Sequence, residues 1–525
     1  MITTLEIQNF KGVAIRQRID FAPLTLLFGA NSAGKSTILQ SLAYLHEVIV
    51  RGDADIDRTA LAGEVLGLGG FARLVYRHEL ARTMVLRAEF LTPDNPNRLG
   101  RDLRDFPFPD LEDSIDSAWL ELEIQHLSTH DYRGPVVARA QIGANGDAEP
   151  LLWLELAPGL RDGEPVYIRV NLGHPLLAES ATHVVADWED VSVPDQVQRA
   201  AIEREGGRSG DDRPLSSLGA MGFGDGRALP VFAVSRSRLS VLPPLDEPLR
   251  VILPTEDEPT AEQAITIAQI RTFLEMTVVG TVAQLASTLD RTLYLGPLRV
   301  VPPRGFLFQR AGRVSRWGDG LAAWDLLLAD RTTLVERVNG WLKRLGAGCQ
   351  VVVQQLVDTR ATAEDLAEGH VDASVRRLLL DTGGGTLVLP SEVGAGIAQV
   401  VPVIVAALVE GKVPLVLLEQ PEIHGHPGLQ VGLGDLFIEA ASNRQLIIET
   451  HSEHVILRLL RRIRETHEGE LPEGAPSFTP DRLSVLYVEA GDAGLQVRRL
   501  RVDDTGEFLD RWPRGFFEER AHEVF

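Results

Sequence analysis

The sequence predicts an α/β protein built on a mixed, largely parallel sheet and carrying a large inserted region of strands and helices. Three observations point there. Short apolar runs at Leu24–Phe28, Pro414–Leu418 and Leu446–Glu449 stand among stretches of helical spacing, and strands that alternate with helices build parallel sheets. Between residues 52 and 289 that alternation lapses. Period-two stretches such as Trp119–Ile124 and Pro135–Ile142 take over, the pattern of antiparallel strands. Finally, 525 residues exceed one compact core, which leaves one large composite domain or two closely joined ones.

In chain order, Leu5–Ile7 and Ile15–Phe21 read as short strands joined by a Lys11-Gly12 turn, and Leu24–Phe28 as a buried strand entering a glycine-containing loop. A helix is expected from Lys35, because Ile38, Leu39, Leu42 and Leu45 share one face. Within 52–289, the turn-forming composition of Pro93–Pro109 and Gly206–Gly226 marks loops. Ala261–Leu289 reads as a long amphipathic helix leading to a strand at Thr292–Leu295. Beyond it come helical sequence over Ala322–Leu345, strands near Gln350–Val357 and Val375–Leu380, and a turn at Gly383-Gly384-Gly385. A helix over Gly396–Leu408 and another over His454–Arg464 flank the last apolar strands. The chain divides into residues 1–51 and 290–525 as one split domain, with 52–289 inserted.

Charge and cysteine content narrow the class. Lys and Arg number 52 against 74 Asp and Glu, a net charge of −22, so the surface as a whole repels phosphate backbones. Any nucleic-acid contact must be local, and protein partners are favoured. The basic run Arg458, Arg461, Arg462 and Arg464 is read as charge placed against a helix dipole before it is read as a DNA contact. The single cysteine, Cys349, excludes an intramolecular disulfide and a Cys-based zinc cluster, and fits a reducing compartment. The first ten residues carry Glu6 and no apolar core of a secretion signal. The richest apolar run, Val400–Val409, is half of the ~20 residues that span a bilayer. A cytoplasmic protein without membrane association is expected.

The strongest motif is Gly29-Ala30-Asn31-Ser32-Ala33-Gly34-Lys35-Ser36, followed by Thr37. It matches every required position of the phosphate-binding P-loop and lies between an apolar strand and a helix, as that chemistry demands. Glycines let the backbone N–H groups and the helix N-terminus face phosphate, Lys35 adds a cation, and the Ser36 hydroxyl is suited to Mg²⁺. ATP and Mg²⁺ are the implied cofactors.

A second element, Leu415–Leu418 followed by Glu419-Gln420-Pro421-Glu422, looks like a Walker B strand that delivers a carboxylate to the metal, here Glu419. Further on, Leu446–Glu449 runs into Thr450-His451-Ser452, similar to the switch-histidine segment of ABC-type ATPases. Ser391-Glu392-Val393-Gly394-Ala395-Gly396-Ile397-Ala398-Gln399 stands before a helix, in the place of the ABC signature. His424 and His426 flank Gly425 without the spacing of further ligands and read as loop residues.

With Asn9-Phe10-Lys11-Gly12 after the first strand, these segments resemble the RecF/SMC/OLD branch of ABC-type ATPases. Glu419–His424, Glu449–His454, Leu295-Gly296-Pro297-Leu298-Arg299 and Trp512-Pro513-Arg514-Gly515-Phe516-Phe517 resemble a bacterial group of AAA-type ATPases that close with Trp-Pro-x-Gly-Phe-Phe. The resemblance covers residues 1 to about 50 and 290 to 525, and implies an ABC-type ATPase head split by the insertion. It implies a nucleotide site of Gly29 to Thr37 with Lys11, metal held by Ser36 and Glu419, and catalysis by Glu422, Gln420 and His451. Gly394, Gly396 and Gln399 would act in trans, with ATP joining a homodimer or higher homo-oligomer. The implied role is a slowly hydrolysing switch that controls a separate protein effector in bacterial defence or genome maintenance.

Two departures keep alternatives open. Gln420 stands where the water-polarising Glu is usual, so either Glu422 is the base or the protein is an ATP-held clamp or scaffold. A DNA-processing nuclease of the OLD type would need a Toprim domain. Val488-Glu489 is similar to its start, but the 36 residues that follow (525 − 489) are too few, and Glu489, Asp503 and Asp504 read as strand-end and turn residues.

Overall fold

In the computed structural model the chain is described except at residues 63–65, 93–114, 130–131, 157–164, 178–187, 189–191, 193–230, 236–239, 246, 254–257, 305, 307–315, 330–332, 356–375, 492–493 and 514–525. The expected loops Pro93–Pro109 and Gly206–Gly226, and Arg514, Gly515, Phe516 and Phe517, lie outside the described residues.

Two large sheets organise the fold. The first is antiparallel and nine-stranded, in the order β10-β9-β8-β7-β6-β5-β4-β1-β2. It takes β1 (Ile2–Gln8) and β2 (Gln17–Asp20) from the start of the chain. The 52–289 segment contributes β4 (Met84–Leu91), β5 (Ser117–Ser128), β6 (Arg133–Ala144), β7 (Leu152–Leu156), β8 (Val166–Val170), β9 (Val231–Val234) and β10 (Val251–Ile252). β1 pairs with β4 through Ile7 and Leu86, so the first strands of the chain and the inserted strands share one hydrogen-bonded sheet.

The second sheet, six-stranded and mixed, carries the P-loop strand at its centre: β11-β15-β16-β3-β17-β18. Its members are β3 (Leu24–Phe28), β11 (Leu293–Leu295), β15 (Leu415–Glu419), β16 (Gln445–Glu449), β17 (Leu483–Gly491) and β18 (Gly494–Leu500). The first five run parallel, and β18 turns back antiparallel on β17. β3, β15 and β16 are buried at every residue, as strands covered on both faces must be. Alternate residues enter two cores. Leu27, Leu415, Leu417 and Ile447 join the core beneath the nine-stranded sheet. Leu24, Leu26, Phe28, Val416, Leu418, Leu446 and Ile448 join the core on the other side.

Helices connect these strands. α1 (Lys35–His46) follows β3, α2 (Phe71–Leu74) precedes β4, and α3 (Ala261–Leu274) and α4 (Gly280–Asp290) precede β11. α5 (Leu321–Ala329) and α6 (Leu334–Arg344) lead to the small sheet β12 (Gln350–Gln355), β13 (Arg376–Asp381) and β14 (Leu387–Val388). Then α7 (Ala395–Leu408) leads into β15, α8 (Pro427–Ala440) joins β15 to β16, and α9 (Glu453–Glu468) joins β16 to β17.

The long helix expected over Ala261–Leu289 runs from Ala261 to Asp290 with a π-helical turn at Glu275–Val279. It starts on a capping box, Thr260 with Gln263, which satisfies two otherwise orphaned N–H groups. By length and composition alone this helix could cross a membrane, a property that a count of uninterrupted apolar residues overlooks. In the fold it buries Ile270, Phe273, Leu274, Val278, Leu285 and Leu289 in the core shared with the nine-stranded sheet.

Candidate functional site

The site forms where the parallel strands β3, β15 and β16 reach their C-terminal ends, the edge at which open α/β sheets bind ligands. After Phe28 the chain enters the P-loop. Its tip, Ala30, Asn31 and Ser32, is exposed, whereas Gly29, Ala33, Lys35 and Thr37 are buried and Gly34 and Ser36 partly so. Glycine is required twice. Gly29 (φ 149°) lies so close to β17 that a Cβ would meet the Val488 carbonyl at 2.2 Å. Gly34 (φ 97°) caps α1, where a Cβ would meet Leu495 at 2.1 Å. The β17–β18 hairpin therefore backs the loop.

Lys35 is folded over the loop and donates from Nζ to the Gly29 and Ala30 carbonyls at 3.0 and 2.9 Å. Burial lowers its pKa, against the pull of Glu449, Glu422 and Glu419. Lys11, in a left-handed conformation (φ 48°), donates from Nζ to Gln40 on α1 and lies within electrostatic reach of Glu419.

Across the strands stand three carboxylates. Glu419 ends β15 and Glu449 ends β16, and the two are register partners. The Ser36 hydroxyl donates to Glu449 Oε2 at 2.7 Å, and Lys35 Nζ lies 3.9 Å from Glu449 Oε1. Tyr294 on β11 donates its hydroxyl to Glu419 Oε1 at 2.5 Å. Burial is the largest influence on Glu419 and pushes its pKa up to about 7; Tyr294 opposes and Glu449 adds to the rise. Burial also raises Glu449, opposed by Ser36 and Lys35.

Glu422 lies in the turn after β15. Its Oε1 accepts the His451 backbone N–H at 2.7 Å. Its Oε2 has no hydrogen-bond partner among the described residues. Burial raises its pKa, the direction that suits a general base near neutral pH. Burial, followed by the Lys35 charge, lowers the His451 pKa and favours the neutral ring. Ser452 caps α9 by accepting from Val455 N–H, so His451 is held between the end of β16 and a fixed helix start.

Gln420 is strained. It adopts φ 44° and donates its backbone N–H to the Glu449 carbonyl at 2.7 Å. A left-handed non-glycine residue persists only where its surroundings impose it. Arg299, buried, holds this corner by donating from Nη2 to the Glu419 and Gln420 carbonyls at 2.6 and 3.2 Å. Burial lowers its pKa to about 10 despite Glu422 and Glu419.

The signature-like segment enters the same network. Gln399 on α7 exchanges two hydrogen bonds with the Arg299 backbone, at 3.2 and 2.6 Å. Gly396 packs against the turn after β15, where a Cβ would meet the His424 carbonyl at 2.4 Å. Gly394, the N-cap of α7, is exposed with open space around it. The sequence-selected residues thus converge on one corner, with Gly394 facing outward. Sequence reasoning missed Glu449, Tyr294 and Arg299 as site residues. Glu449 follows the apolar run Leu446-Ile447-Ile448 at a strand end, the position that had singled out Glu419, and that signal was sufficient to find it.

Other candidates resolve into structural roles. His426 caps α8 by accepting from Gly428 N–H. Arg458 and Arg462 pair with Asp435, Arg461 with Glu465 and Arg464 with Glu507. Glu489 lies within β17 opposite Gln496. Asp503 accepts N–H bonds from Thr505 and Glu507 in a turn.

The donor set fits Mg²⁺. Among the described residues no group of three or more His, Cys, Asp or Glu is placed to hold a metal. Ser36, Glu419 and Glu449 instead offer a hydroxyl and two carboxylates beside the glycine-containing loop, and Mg²⁺ is commonly held by one or two carboxylates together with nucleotide phosphates.

Two family descriptions match the chain. Residues 1–61 match "AAA ATPase domain", and residues 328–457 match "AAA domain, putative AbiEii toxin, Type IV TA system". No curated protein matches the sequence. Solved structures similar to this chain include an Smc head bound to the C-winged helix domain of ScpA (11% identity, TM-score 0.37, 96% of this chain and 98% of that one). Another is the SMC head domain from Thermotoga maritima (10% identity, TM-score 0.35, 95% and 99%). A third is an Smc head with an extended coiled coil bound to the C-terminal domain of ScpA, derived from Pyrococcus furiosus (10% identity, TM-score 0.36, 100% and 98%).

Proposed function

We propose that this corner binds ATP with Mg²⁺ and hydrolyses it slowly, as a switch that brings two copies together and controls a separate protein effector. The observation that carries the reading is the meeting of the P-loop with the strand-end carboxylates: Ser36 and Lys35 face Glu449, with Glu419 beside it. The two AAA family matches support ATP as the ligand. Mg²⁺ would polarise the phosphates. Lys35 and Lys11 would neutralise their charge, Glu422 would take the proton of the attacking water, and His451 and Gln420 would position that water.

Dimerisation is supported by Gly394 at the N-terminus of α7, whereas Gly396 packs within its own chain. The exposed Gly394 end offers a helix dipole to the phosphates held by another copy. A place in bacterial defence is supported by the toxin–antitoxin description attached to residues 328–457. A second reading, an ATP-held clamp, is favoured by Gln420, a strained amide in the position where a carboxylate is usual.

Titration with a fluorescent ATP analogue in Mg²⁺, followed by light scattering, tests the proposal. Saturable binding and a nucleotide-dependent doubling of mass are expected. A chain that binds no nucleotide overturns the reading, and an unchanged monomer at every concentration removes the dimer from it.

A further inference from the structure

Glu449 is the carboxylate that faces the Ser36 hydroxyl and the Lys35 ammonium of the P-loop in this structure. Its carboxylate accepts the Ser36 hydroxyl at 2.7 Å, lies 3.9 Å from the Lys35 ammonium, and is buried. These are the two P-loop groups on which a metal-bound phosphate depends. Glu449 also faces Glu419 across paired strands, and neighbouring strands in a sheet lie only ~4.8 Å apart. Nearby, Glu422 is more than nine-tenths buried with Oε2 unpartnered among the described residues.

The balance of charge matters here. Glu419, Glu422 and Glu449 converge, and the cations that face them are Lys35, Lys11 and Arg299. Arg299 spends its Nη2 on backbone carbonyls, and Lys11 is held by Gln40. Three carboxylates against three cations leave no net positive charge for a phosphate chain that enters without a metal, and in a buried setting its repulsion from Glu449 and Glu419 is weakly screened. A divalent cation reverses that, because it can accept a carboxylate oxygen and a phosphate oxygen together.

We propose that Glu449 is a ligand of the nucleotide's divalent cation and, in its absence, an electrostatic gate that holds Ser36 and Lys35 and keeps free nucleotide out. The inference rests on the P-loop being the nucleotide site and adds to it a strict dependence on metal.

The test is affinity rather than turnover. A fluorescent ATP analogue is titrated into wild type, Glu449→Gln and Glu449→Asp, each in Mg²⁺ and in EDTA, with melting curves as a control for folding. Wild type should bind more tightly in Mg²⁺ than in EDTA. Glu449→Gln should narrow that ratio by about tenfold, partly by binding more tightly in EDTA, as removal of a carboxylate near a metal commonly does to metal affinity. Glu449→Asp, which keeps the charge, should retain more of the ratio and serves if the glutamine variant does not fold. An unchanged ratio in a folded Glu449→Gln protein overturns the inference and leaves the P-loop reading intact. An equal loss in both arms also overturns it, because Glu449 would then only shape the loop. Absence of binding by wild type in Mg²⁺ sinks both.

Discussion

The two large sheets treat charge in opposite ways. On the nine-stranded sheet acidic and basic side chains are paired within the sheet itself. Arg16 bridges Glu6 and Glu121, Arg18 reaches Glu6 and Glu89, Arg87 pairs with Glu89, and Arg139 pairs with Glu123 and Glu155. Arg87 also lies 3.7 Å over the Trp119 ring. In the six-stranded sheet β3 carries no charge, and β15 and β16 carry a charge only where they end, at Glu419 and Glu449. There the counter-charge stands further away and the acids are pushed upward by burial. A sheet that neutralises its own charge is a scaffold. One that holds acids at its strand ends beside the Ser36–Lys35 loop is what the proposed cation site requires.

The largest effect that sharpens this contrast is expected from Lys35→Ala. Among the described residues its ammonium bonds loop carbonyls and faces the Glu449 carboxylate, so the fold should survive while ATP affinity falls by about a hundredfold, the scale of a lost charged hydrogen bond. Calorimetric titration with unchanged melting would show it. Unaltered affinity would break the assignment of the site.

Turnover comes next. Glu422→Gln should lower hydrolysis by ~10²–10⁴-fold with ATP binding retained if Glu422 is the base. Gln420→Glu should then change little. Under the clamp reading the order inverts: Glu422→Gln hardly matters, and Gln420→Glu accelerates hydrolysis. Steady-state phosphate release from the three proteins separates them, and a slow wild type that Gln420→Glu speeds up would favour the clamp.

The same contrast explains what the sequence could disclose. The parallel sheet was legible because strands buried on both faces read as continuous apolar runs: Leu24–Phe28 is bounded correctly, and the expected Lys35 is where α1 begins. Trp119–Ile124 and Pro135–Ile142 disclosed β5 and β6 by alternation. What they could not disclose was that β1 and β2 complete the same sheet, because strand pairing across dozens of residues leaves no local pattern. In the site, motif spacing located Ser36, Glu419, Glu422 and His451 in one corner. The contacts that tie them together, Tyr294 to Glu419 and Arg299 to the Glu419 carbonyl, span more than a hundred residues and belong to tertiary packing.

A moderate effect is expected from pH. Glu419 in the nucleotide-free protein has a pKa of about 7, and a metal needs it ionised. As pH falls from 8 to 6, affinity for ATP with Mg²⁺ should therefore weaken by about tenfold. Glu419→Gln should flatten the profile at lower overall affinity. The stability of the metal-free protein moves the other way. The folded carboxyl holds its proton up to a higher pH than the unfolded one, so its burial costs stability as pH rises from the ordinary carboxylate range through about 7. A melting temperature in EDTA that is less sensitive to pH in Glu419→Gln than in wild type is the expected sign.

The smallest effect is expected on the other sheet, at Arg18. Its side chain is 54% exposed and reaches Glu6, Asp20 and Glu89 at 3.0–3.3 Å from the edge strand β2. Exposed pairs of this kind contribute less than about 1 kcal/mol each, because water and salt screen them and two long side chains must be ordered. Arg18→Ala should lower stability by about that amount, and less at high salt, as denaturant unfolding would show. Glu6 and Glu89 keep Arg16 and Arg87 as partners, so no acid is stranded. The informative measurement is nucleotide affinity. β1 leads directly into Asn9 and Lys11, so disturbance of the ladder has a short covalent route to the P-loop corner. If the nine-stranded sheet is only a scaffold, Arg18→Ala leaves ATP binding in Mg²⁺ unchanged. A change in affinity that exceeds what the lost stability explains would mean that the paired face of the sheet communicates with the site, and the division between scaffold and chemistry would fall.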